Sequence, residues 1–199
     1  FNVFSQLTEH VHAIDDFSKL PIPFFCIGTN LETGEEVVLD HGFLPEAIRA
    51  SGSYPGLLTP VRVGDQVLVD GGLVDNFPVE KMKEKGVDII IGVNVSGGLR
   101  DIENINSLPE VLMQIAGFQM YEQWDSKIEL CDIYIRPELD EFSTFSFEEG
   151  QEIIVKGEEA ANKLKEELMA LAKRQKHSEP KRTIKNYPEN QDLLIREIS

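Results

Sequence analysis

Short runs of β-branched and other apolar residues alternate along this 199-residue chain with longer segments of helix-forming composition. Residues 88–95 contain three consecutive isoleucines and two valines, and such a β-branched run predicts a strand that is covered on both faces. Strands that alternate with helices favour an α/β fold with a largely parallel or mixed sheet. The length suits one ordinary domain or a large piece of one.

Turn residues and hydrophobic periodicity divide the rest of the chain into further elements. The sequence predicts strands at 21–31, 36–39, 61–63, 67–69 and 131–136, and helices at 44–50, 78–85, 107–127 and 146–176. The first four strands should form two hairpins, because only short turn sequences separate them. We expect Ser107 and Glu110 to cap the third helix, and we expect the last helix to be kinked or broken near Gly157.

The formal net charge of -16 limits the partners of the chain. Such a surface repels phosphate backbones, so we expect no binding to nucleic acid. It also disfavours broad adsorption to anionic membranes, so contact with lipid should come through a local apolar patch. The longest apolar runs are much shorter than the ~20 residues of a membrane-spanning helix. The sequence does not indicate an oligomeric state.

The two cysteines, Cys26 and Cys131, lie far apart, and each occurs in an apolar strand-like run. No CxxC pair is present, so we predict two free buried thiols and neither a disulfide nor a metal site.

Histidines offer one alternative chemistry. His10 and His12 are two positions apart, which would place them on one face of a strand, where a metal or a catalytic triad could use them. No cysteine, aspartate or glutamate accompanies them at ligand spacing, so these two, together with His41 and His177, are predicted to lie on the surface or in loops. We therefore expect no metal ion and no cofactor.

An acidic residue followed by two glycines is the most informative motif. Asp70 ends a hydrophobic strand, and Gly71 and Gly72 follow it. Glycines permit positive φ angles and close approach of another chain segment. This arrangement would hold a carboxylate at the carboxyl end of a strand, where α/β folds place their sites. Asn76 then leads into a helix whose first turn contains Pro78. Taken alone, the tripeptide is common, and Asp70 could simply cap a tight turn.

Four segments in a fixed order make the motif more specific. They are the strand at 25–30 with its hairpin turn at 33–34, the run at 47–58, the Asp70 motif at 69–79, and the strand at 86–93. As an ordered set, across about residues 1–173, they resemble the patatin-like phospholipases, a family of plant storage lipases and bacterial lipid hydrolases. The resemblance implies a three-layer α/β/α fold, and we expect a bacterial member.

The resemblance also implies a chemistry. Members of this family hydrolyse lipid esters with a serine–aspartate dyad and need no histidine and no cofactor. Asp70 matches the aspartate that acts as the base. Gly71, Gly72, Asn76 and Pro78 match the residues that support it, and the glycines would let the nucleophile turn pack against Asp70. An aspartate of ordinary pKa is a weak base, so it must be desolvated or tightly oriented.

The nucleophile of the family is absent from this chain. The serine should lie in a Gly-x-Ser-x-Gly turn between a strand and a helix, and no such sequence occurs in the 199 residues. The nearest match, Ser53 within residues 51–56, has the wrong spacing, contains a proline and follows a helix. A glycine-triplet oxyanion loop is also missing. We therefore expect residues 1–173 to be the C-terminal portion of a catalytic domain that is inactive alone.

Two other functions remain open. Asp70 and Asp75 could form a glycosidase pair, although Asp75 more plausibly caps the helix that begins near Pro78. The chain could also be a module that binds lipid or a protein partner without catalysis.

The end of the chain has a different character. Residues 174–192 are polar and contain two prolines, which predicts a linker. Residues 193–199 then resemble the first strand of a following module, such as the polypeptide-transport-associated modules of some bacterial patatin-like proteins. That would place the parent protein in the cell envelope. The alternative is a cytoplasmic lipase whose tail packs back on its domain.

Overall fold

The computed structural model describes residues 2–96, 98–99, 101–122, 124–142, 146 and 148–175. The helices are α1 (Asn2–Thr8), α2 (Leu44–Ser51), α3 (Val79–Glu84), α4 (Leu108–Glu122), α5 (Trp124–Glu129), α6 (Gly150–Lys163) and α7 (Lys165–Gln175). The strands are β1 (Cys26–Asn30), β2 (Glu36–Leu39), β3 (Val61–Val63), β4 (Gln66–Asp70), β5 (Ile91–Val93) and β6 (Ile133–Ile135). The mixture confirms the predicted α/β class. The predictions for residues 176–199, including His177, lie outside the described residues.

Four strands form an antiparallel sheet in the order β2-β1-β4-β3. Both predicted hairpins are present, with β1 paired to β2 and β3 paired to β4. Their turns contain Gly34 and Gly64 at φ angles of 73° and 58°, a region that favours glycine. β1 and β4 lie side by side in the middle of the sheet, where Gly28 is opposite Asp70. The register therefore places Asp70 next to the centre of β1.

The only parallel pair among the described strands is β5 with β6, in which Gly92 is opposite Tyr134. The chain passes from β5 to β6 through α4 and α5, and such a crossover is what a parallel connection requires. Hairpin connections join β1 to β2 and β3 to β4, so those strands are antiparallel. Strand pairing is therefore mixed and mostly antiparallel, and a mostly parallel sheet is not observed.

Two apolar clusters hold the site region together. Helix α2 packs on the four-stranded sheet through a cluster that includes Phe17, Leu44, Ala47 and Leu68. The second cluster joins α3, α5 and the residue before β5, and it consists of Phe77, Val79, Ile90 and Trp124. The rings of Phe77 and Trp124 are stacked, with their centroids 5.2 Å apart. The segment that follows Asp70 is thus anchored to α5 by an aromatic contact.

Strand β5 is shorter than the predicted strand at 88–95, and only one of its faces is covered. Gly92 and Asn94 are buried, whereas Ile91 and Val93 are 45% and 50% exposed. A Cβ atom at Gly92 would collide with Cys131 and Phe77, which pack directly on that face. The prediction of a strand covered on both faces is therefore wrong for the chain as described.

The predicted helices are present, but the last one begins at Gly150 and not at 146, and its break lies elsewhere than predicted. Ser107 and Glu110 form the expected cap, since the Ser107 hydroxyl accepts from the Glu110 amide at 3.4 Å and donates to its carboxylate at 2.9 Å. The long C-terminal helix is interrupted at Leu164, between α6 and α7, and Gly157 lies within α6. Leu164 packs against the cluster around Ile133, so a tertiary contact accompanies the break. Within the described residues, none of the helices has the length and apolarity needed to cross a membrane.

Candidate active site

Asp70 is the last residue of β4, and its backbone is held from two sides. Its amide donates to the carbonyl oxygen of Ser53, just beyond α2, at 3.0 Å. Its own carbonyl oxygen accepts from the hydroxyl of Thr29 on β1, at 2.8 Å. The end of the strand is therefore fixed by β1 and by the segment that follows α2.

The side chain of Asp70 is oriented by the turn that comes after it. Its Oδ1 accepts a hydrogen bond from the amide of Gly72 at 2.8 Å, within the 3-10 turn Gly71–Leu73. The residue is half-buried, and burial raises the pKa of its carboxyl group, although the Gly72 hydrogen bond lowers the pKa in part. None of the described cations forms an ion pair with Asp70. The result is a carboxylate that is oriented, partly desolvated and more basic than usual.

The backbone leaves no room for a side chain at Gly71, and side-chain oxygens lie close to Gly72; neither glycine has a positive φ angle. A Cβ atom at Gly71 would overlap the carbonyl oxygen of Ile27 on β1. At Gly72 it would lie 2.9 Å from Asn76 Oδ1 and 3.0 Å from Asp70 Oδ1. The sequence predicted either positive φ angles or close approach of another chain segment at these glycines, and close approach is what the structure shows. The neighbours that approach are β1 and Asn76.

Asn76 and Pro78 connect this turn to the next helix. The Asn76 side chain lies against Gly72 and is exposed. Pro78 precedes the first residue of α3, and its carbonyl oxygen accepts from the amide of Met82 at 3.2 Å. The structure thus brings Gly71, Gly72 and Asn76 to Asp70 and places Pro78 at the start of α3.

Asp75 does not cap α3, which corrects the sequence prediction. No side chain caps that helix. Asp75 is only 6% exposed, and its Oδ1 accepts from the amide of Phe77 at 3.1 Å and from the ammonium group of Lys127 at 2.6 Å. A buried carboxylate that is bound to Phe77 and Lys127 is not open to a substrate, unlike the second carboxylate of a glycosidase, which must reach the sugar or its attacking water. The glycosidase alternative loses its support.

Lys127 is the residue near the site that sequence reasoning missed. It lies on α5, 52 positions from Asp75, and is 5% exposed. No local pattern pairs two residues at that distance in sequence.

Ser53 lies beside Asp70, but its hydroxyl is not available to attack a substrate. The residue is fully buried, and its Oγ donates to the carbonyl oxygen of Arg49 at 2.7 Å. This is a helix-terminal hydrogen bond within the segment that ends α2. The environment agrees with the conclusion from sequence that Ser53 is not a nucleophile.

The described histidines lie near the surface and do not converge. His10 is exposed within the 3-10 helix Glu9–Val11, so the strand geometry considered for His10 and His12 is wrong. The ring centroids of His12 and Phe43 are 4.9 Å apart, and His41 Nδ1 lies 2.9 Å from Asp40 Oδ1. Among the residues that the structure describes, no group of three candidate ligands could hold a metal ion.

Both cysteines are free, as predicted, but each is partly buried and not fully buried. The thiol of Cys26 donates to the carbonyl oxygen of Ala47 at 3.5 Å, and burial raises its pKa to about 11. Burial also raises the pKa of Cys131. Thiols with raised pKa values are poor nucleophiles at neutral pH.

An apolar surface lies close to the Asp70 turn. Helix α4 packs against the turn Gly71–Leu73 and exposes a row of large apolar side chains. We call this row the α4 apolar face; it consists of Leu108, Val111, Leu112, Ile115 and Phe118. Ile115 and Phe118 are 57% and 55% exposed. Apolar side chains in contiguous rows of this kind usually mark a surface that binds something.

Comparison with known proteins identifies a family for part of this chain. Residues 15–83 match the family described as patatin-like phospholipase, and this range contains β1–β4, Asp70 and most of α3. The chain therefore contains a patatin-like phospholipase region that includes the candidate base.

Similar proteins come from fungi and from mycobacteria. The chain is 31% identical to lysophospholipase NTE1 of Debaryomyces hansenii over 170 residues, which is 70% of this chain and 10% of that protein. It is 31% identical to lysophospholipase NTE1 of Pyricularia oryzae over 170 residues, which is 72% of this chain and 11% of that protein. An uncharacterised NTE family protein of Mycobacterium tuberculosis is 44% identical over 63 residues, or 32% of this chain and 11% of its own length. The chain spans about a tenth of the length of these relatives.

Proposed function

We propose that this chain supplies the catalytic base, Asp70, of a patatin-like lipid acyl hydrolase that cleaves a carboxylic ester in a phospholipid or lysophospholipid. The observation that carries the proposal is the Asp70 carboxylate, which the Gly72 amide orients at the carboxyl end of β4. Burial makes it more basic, and no described cation neutralises it. Its position within a patatin-like region supports the same role.

The proposed reaction needs only a serine beside this carboxylate. Asp70 accepts the proton of the serine hydroxyl while the serine oxygen attacks the ester carbonyl carbon. The tetrahedral intermediate then collapses, and Asp70 returns the proton to the departing alcohol, which leaves an acyl-serine. In the second half, Asp70 takes a proton from water as the water attacks the acyl-serine. The second tetrahedral intermediate then collapses, and Asp70 returns the proton to the serine oxygen as the free fatty acid is released.

We propose that the serine is supplied by sequence upstream of Phe1. The 199 residues contain no Gly-x-Ser-x-Gly turn, and the hydroxyl of Ser53 is buried and hydrogen-bonded. The uncovered side chains of Ile91 and Val93 and the α4 apolar face support the same idea. A parallel sheet is normally covered on both faces, so an N-terminal part of the domain would complete a three-layer fold here.

A second candidate is a module that binds lipid or a partner without catalysis. The α4 apolar face favours it, because that face would suit an acyl chain or another protein whether or not a serine is present. Such a face also offers a route for local membrane contact by a chain of net charge -16. The upstream sequence separates the two functions, since only the enzyme requires a nucleophile there.

The location of the parent protein is also a proposal. The polar segment 174–192 and the strand-like segment 193–199 support continuation into a further module and a place in the cell envelope. A tail that packs back on a cytoplasmic lipase remains the alternative. Detection of the tagged parent protein in envelope or cytoplasmic fractions would separate these locations.

Hydrolysis of 4-nitrophenyl butyrate by the purified 199-residue chain tests the upstream nucleophile. The expected rate equals that of buffer alone, both for the chain and for Ser53→Ala. Turnover by the chain that is lost in Ser53→Ala would identify Ser53 as the nucleophile and contradict the proposal. Turnover that persists in Ser53→Ala would mean that another residue of the chain is the nucleophile, which contradicts it equally.

A further inference from the structure

Lys127 forms a buried ion pair next to the Asp70 turn. Its ammonium group lies 2.6 Å from Asp75 Oδ1 and 3.3 Å from Glu80 Oε2. The side chains of Lys127 and Asp75 are 7% and 6% exposed, whereas Glu80 is 45% exposed. The pair connects α5 to the segment between β4 and α3. By contrast, the ion pair between Lys163 and Glu138 lies in solvent, with side chains 67% and 74% exposed.

A short series of hydrogen bonds leads from this pair to the carboxylate of Asp70. The amide of Asp75 donates to the carbonyl oxygen of Gly71 at 2.9 Å, and the amide of Val74 donates to the same oxygen at 3.0 Å. Gly72, inside the turn that these bonds close, donates its amide to Asp70 Oδ1 at 2.8 Å. Holding Asp75 in place therefore holds the amide that orients Asp70.

We propose that Lys127 is a positioning residue for Asp70, which it orients through Asp75 and the turn Gly71–Leu73. The proposal rests on the assignment of Asp70 as the base. Lys127 does not touch the reacting atoms and takes no part in proton transfer. Its role is to tie α5 to the turn, so that the Gly72 amide stays directed at the Asp70 carboxylate.

The aromatic contact beside the ion pair does not replace it. Trp124 on α5 stacks on Phe77, which holds the start of α3 to the same helix. That contact is non-polar, and it lies on the far side of Asp75 in sequence from Asp70. The ion pair is the directional contact, because Lys127 binds the carboxylate of Asp75. The amide of Asp75 in turn donates to Gly71 and so closes the turn Gly71–Leu73.

Replacing only Lys127 or only Asp75 would be a poor test of the positioning role, because it leaves an unpaired buried charge and can unfold the protein. The double variant Asp75→Asn, Lys127→Met removes both charges and keeps similar volumes, and such replacements are often tolerated. The asparagine oxygen can still accept from the Phe77 amide. A matched control is Glu138→Gln, Lys163→Met, which removes an exposed pair of the same type.

The readout is the Gly72 amide resonance of the isotope-labelled 199-residue chain, followed by NMR as pH is varied. This amide donates to Asp70, so its chemical shift changes when Asp70 ionises. In the wild type and in the control double variant, we expect the same titration amplitude. In Asp75→Asn, Lys127→Met, we expect at least a twofold smaller amplitude in a protein that still unfolds cooperatively.

Two outcomes would overturn the proposal. An unchanged Gly72 amplitude in the folded Asp75→Asn, Lys127→Met variant would show that the pair does not orient Asp70. Loss of the fold in that variant would show that the pair supports α5 as a whole, since no unpaired buried charge remains to explain it. Neither outcome depends on hydrolysis, so failure here is distinct from failure of the proposed enzymatic function.

Discussion

The amide of Asp70 donates a hydrogen bond to the carbonyl oxygen of Ser53 at 3.0 Å. This bond joins two separate sequence motifs, the run at 47–58 and the motif at 69–79. Ser53 is fully buried, and its hydroxyl is bound to Arg49, so its place at the end of α2 is fixed. The end of α2 therefore acts as a support for the backbone of the candidate base.

Replacement of Asp70 by asparagine should stabilise the chain at neutral pH. Burial raises the pKa of Asp70 in the folded state above its unfolded value of about 3.9, so keeping the side chain charged opposes folding. The contribution of Asp70 to stability is present below the unfolded pKa and is lost as pH rises through the folded pKa. Asparagine avoids this loss and can still accept from Gly72.

Thermal unfolding at several pH values checks this expectation. The Tm of Asp70→Asn should exceed that of the wild type at pH 7, and the difference should vanish near pH 3. Asp65→Asn, in the exposed turn between β3 and β4, is the control and should change Tm little. A lower Tm for Asp70→Asn at pH 7 would argue that the carboxylate is stabilised by a partner instead of strained by burial.

Gly71→Ala should destabilise the fold strongly, by about 3 kcal/mol or more, because the added methyl overlaps the backbone of Ile27 on β1. Gly157→Ala is the matched control. It lies within α6 with open space around its Cβ position, so the same substitution should stabilise by about 0.5–1 kcal/mol. Urea unfolding of both variants measures the contrast. Equal effects of the two substitutions would show that Gly71 is not closely packed on β1.

The α4 apolar face should bind hydrophobic probes. In Ile115→Gln, Phe118→Gln, we expect the fluorescence of anilinonaphthalene sulfonate in the presence of the chain to fall at least twofold. The Tm should be nearly unchanged, because both side chains are largely exposed. Ile154→Gln, Val155→Gln on α6 removes two other exposed apolar side chains as a control. An equal fall in the control would mean that the dye does not select the α4 apolar face.

Cys26 should alkylate slowly in the folded chain. Its pKa is raised from 9.0 to about 11, so its thiolate fraction at pH 8 should be about 100-fold below that of a free thiol. Mass spectrometry after treatment with iodoacetamide, with and without urea, measures the difference at the Cys26 peptide. Labelling of the folded chain as fast as that of the unfolded chain would contradict the partial burial of Cys26.

Local chemistry explains the elements that the sequence predicts well. Glycine turns at Gly34 and Gly64 identify both hairpins, and Ser107 with Glu110 identifies the start of α4. The position of Asp70 at the end of a strand follows from an alternating apolar run that stops at two glycines. Each of these features depends on residues within a few positions of one another.

The incorrect predictions depend on tertiary contacts. The interruption at Leu164 coincides with its packing near Ile133, and helix propensity alone favours Gly157 instead. The pairing of Asp75 with Lys127 joins residues 52 positions apart, so no local pattern could predict it in place of the helix cap. Residues 88–95 show the apolar pattern of a fully covered strand, but the described residues cover one face of β5.

The central claim is that Asp70 is the base for a serine supplied from upstream of Phe1. The most direct measurement is the kcat for 4-nitrophenyl butyrate of the full-length gene product, compared with its Asp70→Asn variant. Loss of a positioned general base should lower kcat by about 10²–10⁴-fold, with the fold intact by circular dichroism. Equal kcat values for the two proteins would contradict the assignment of Asp70.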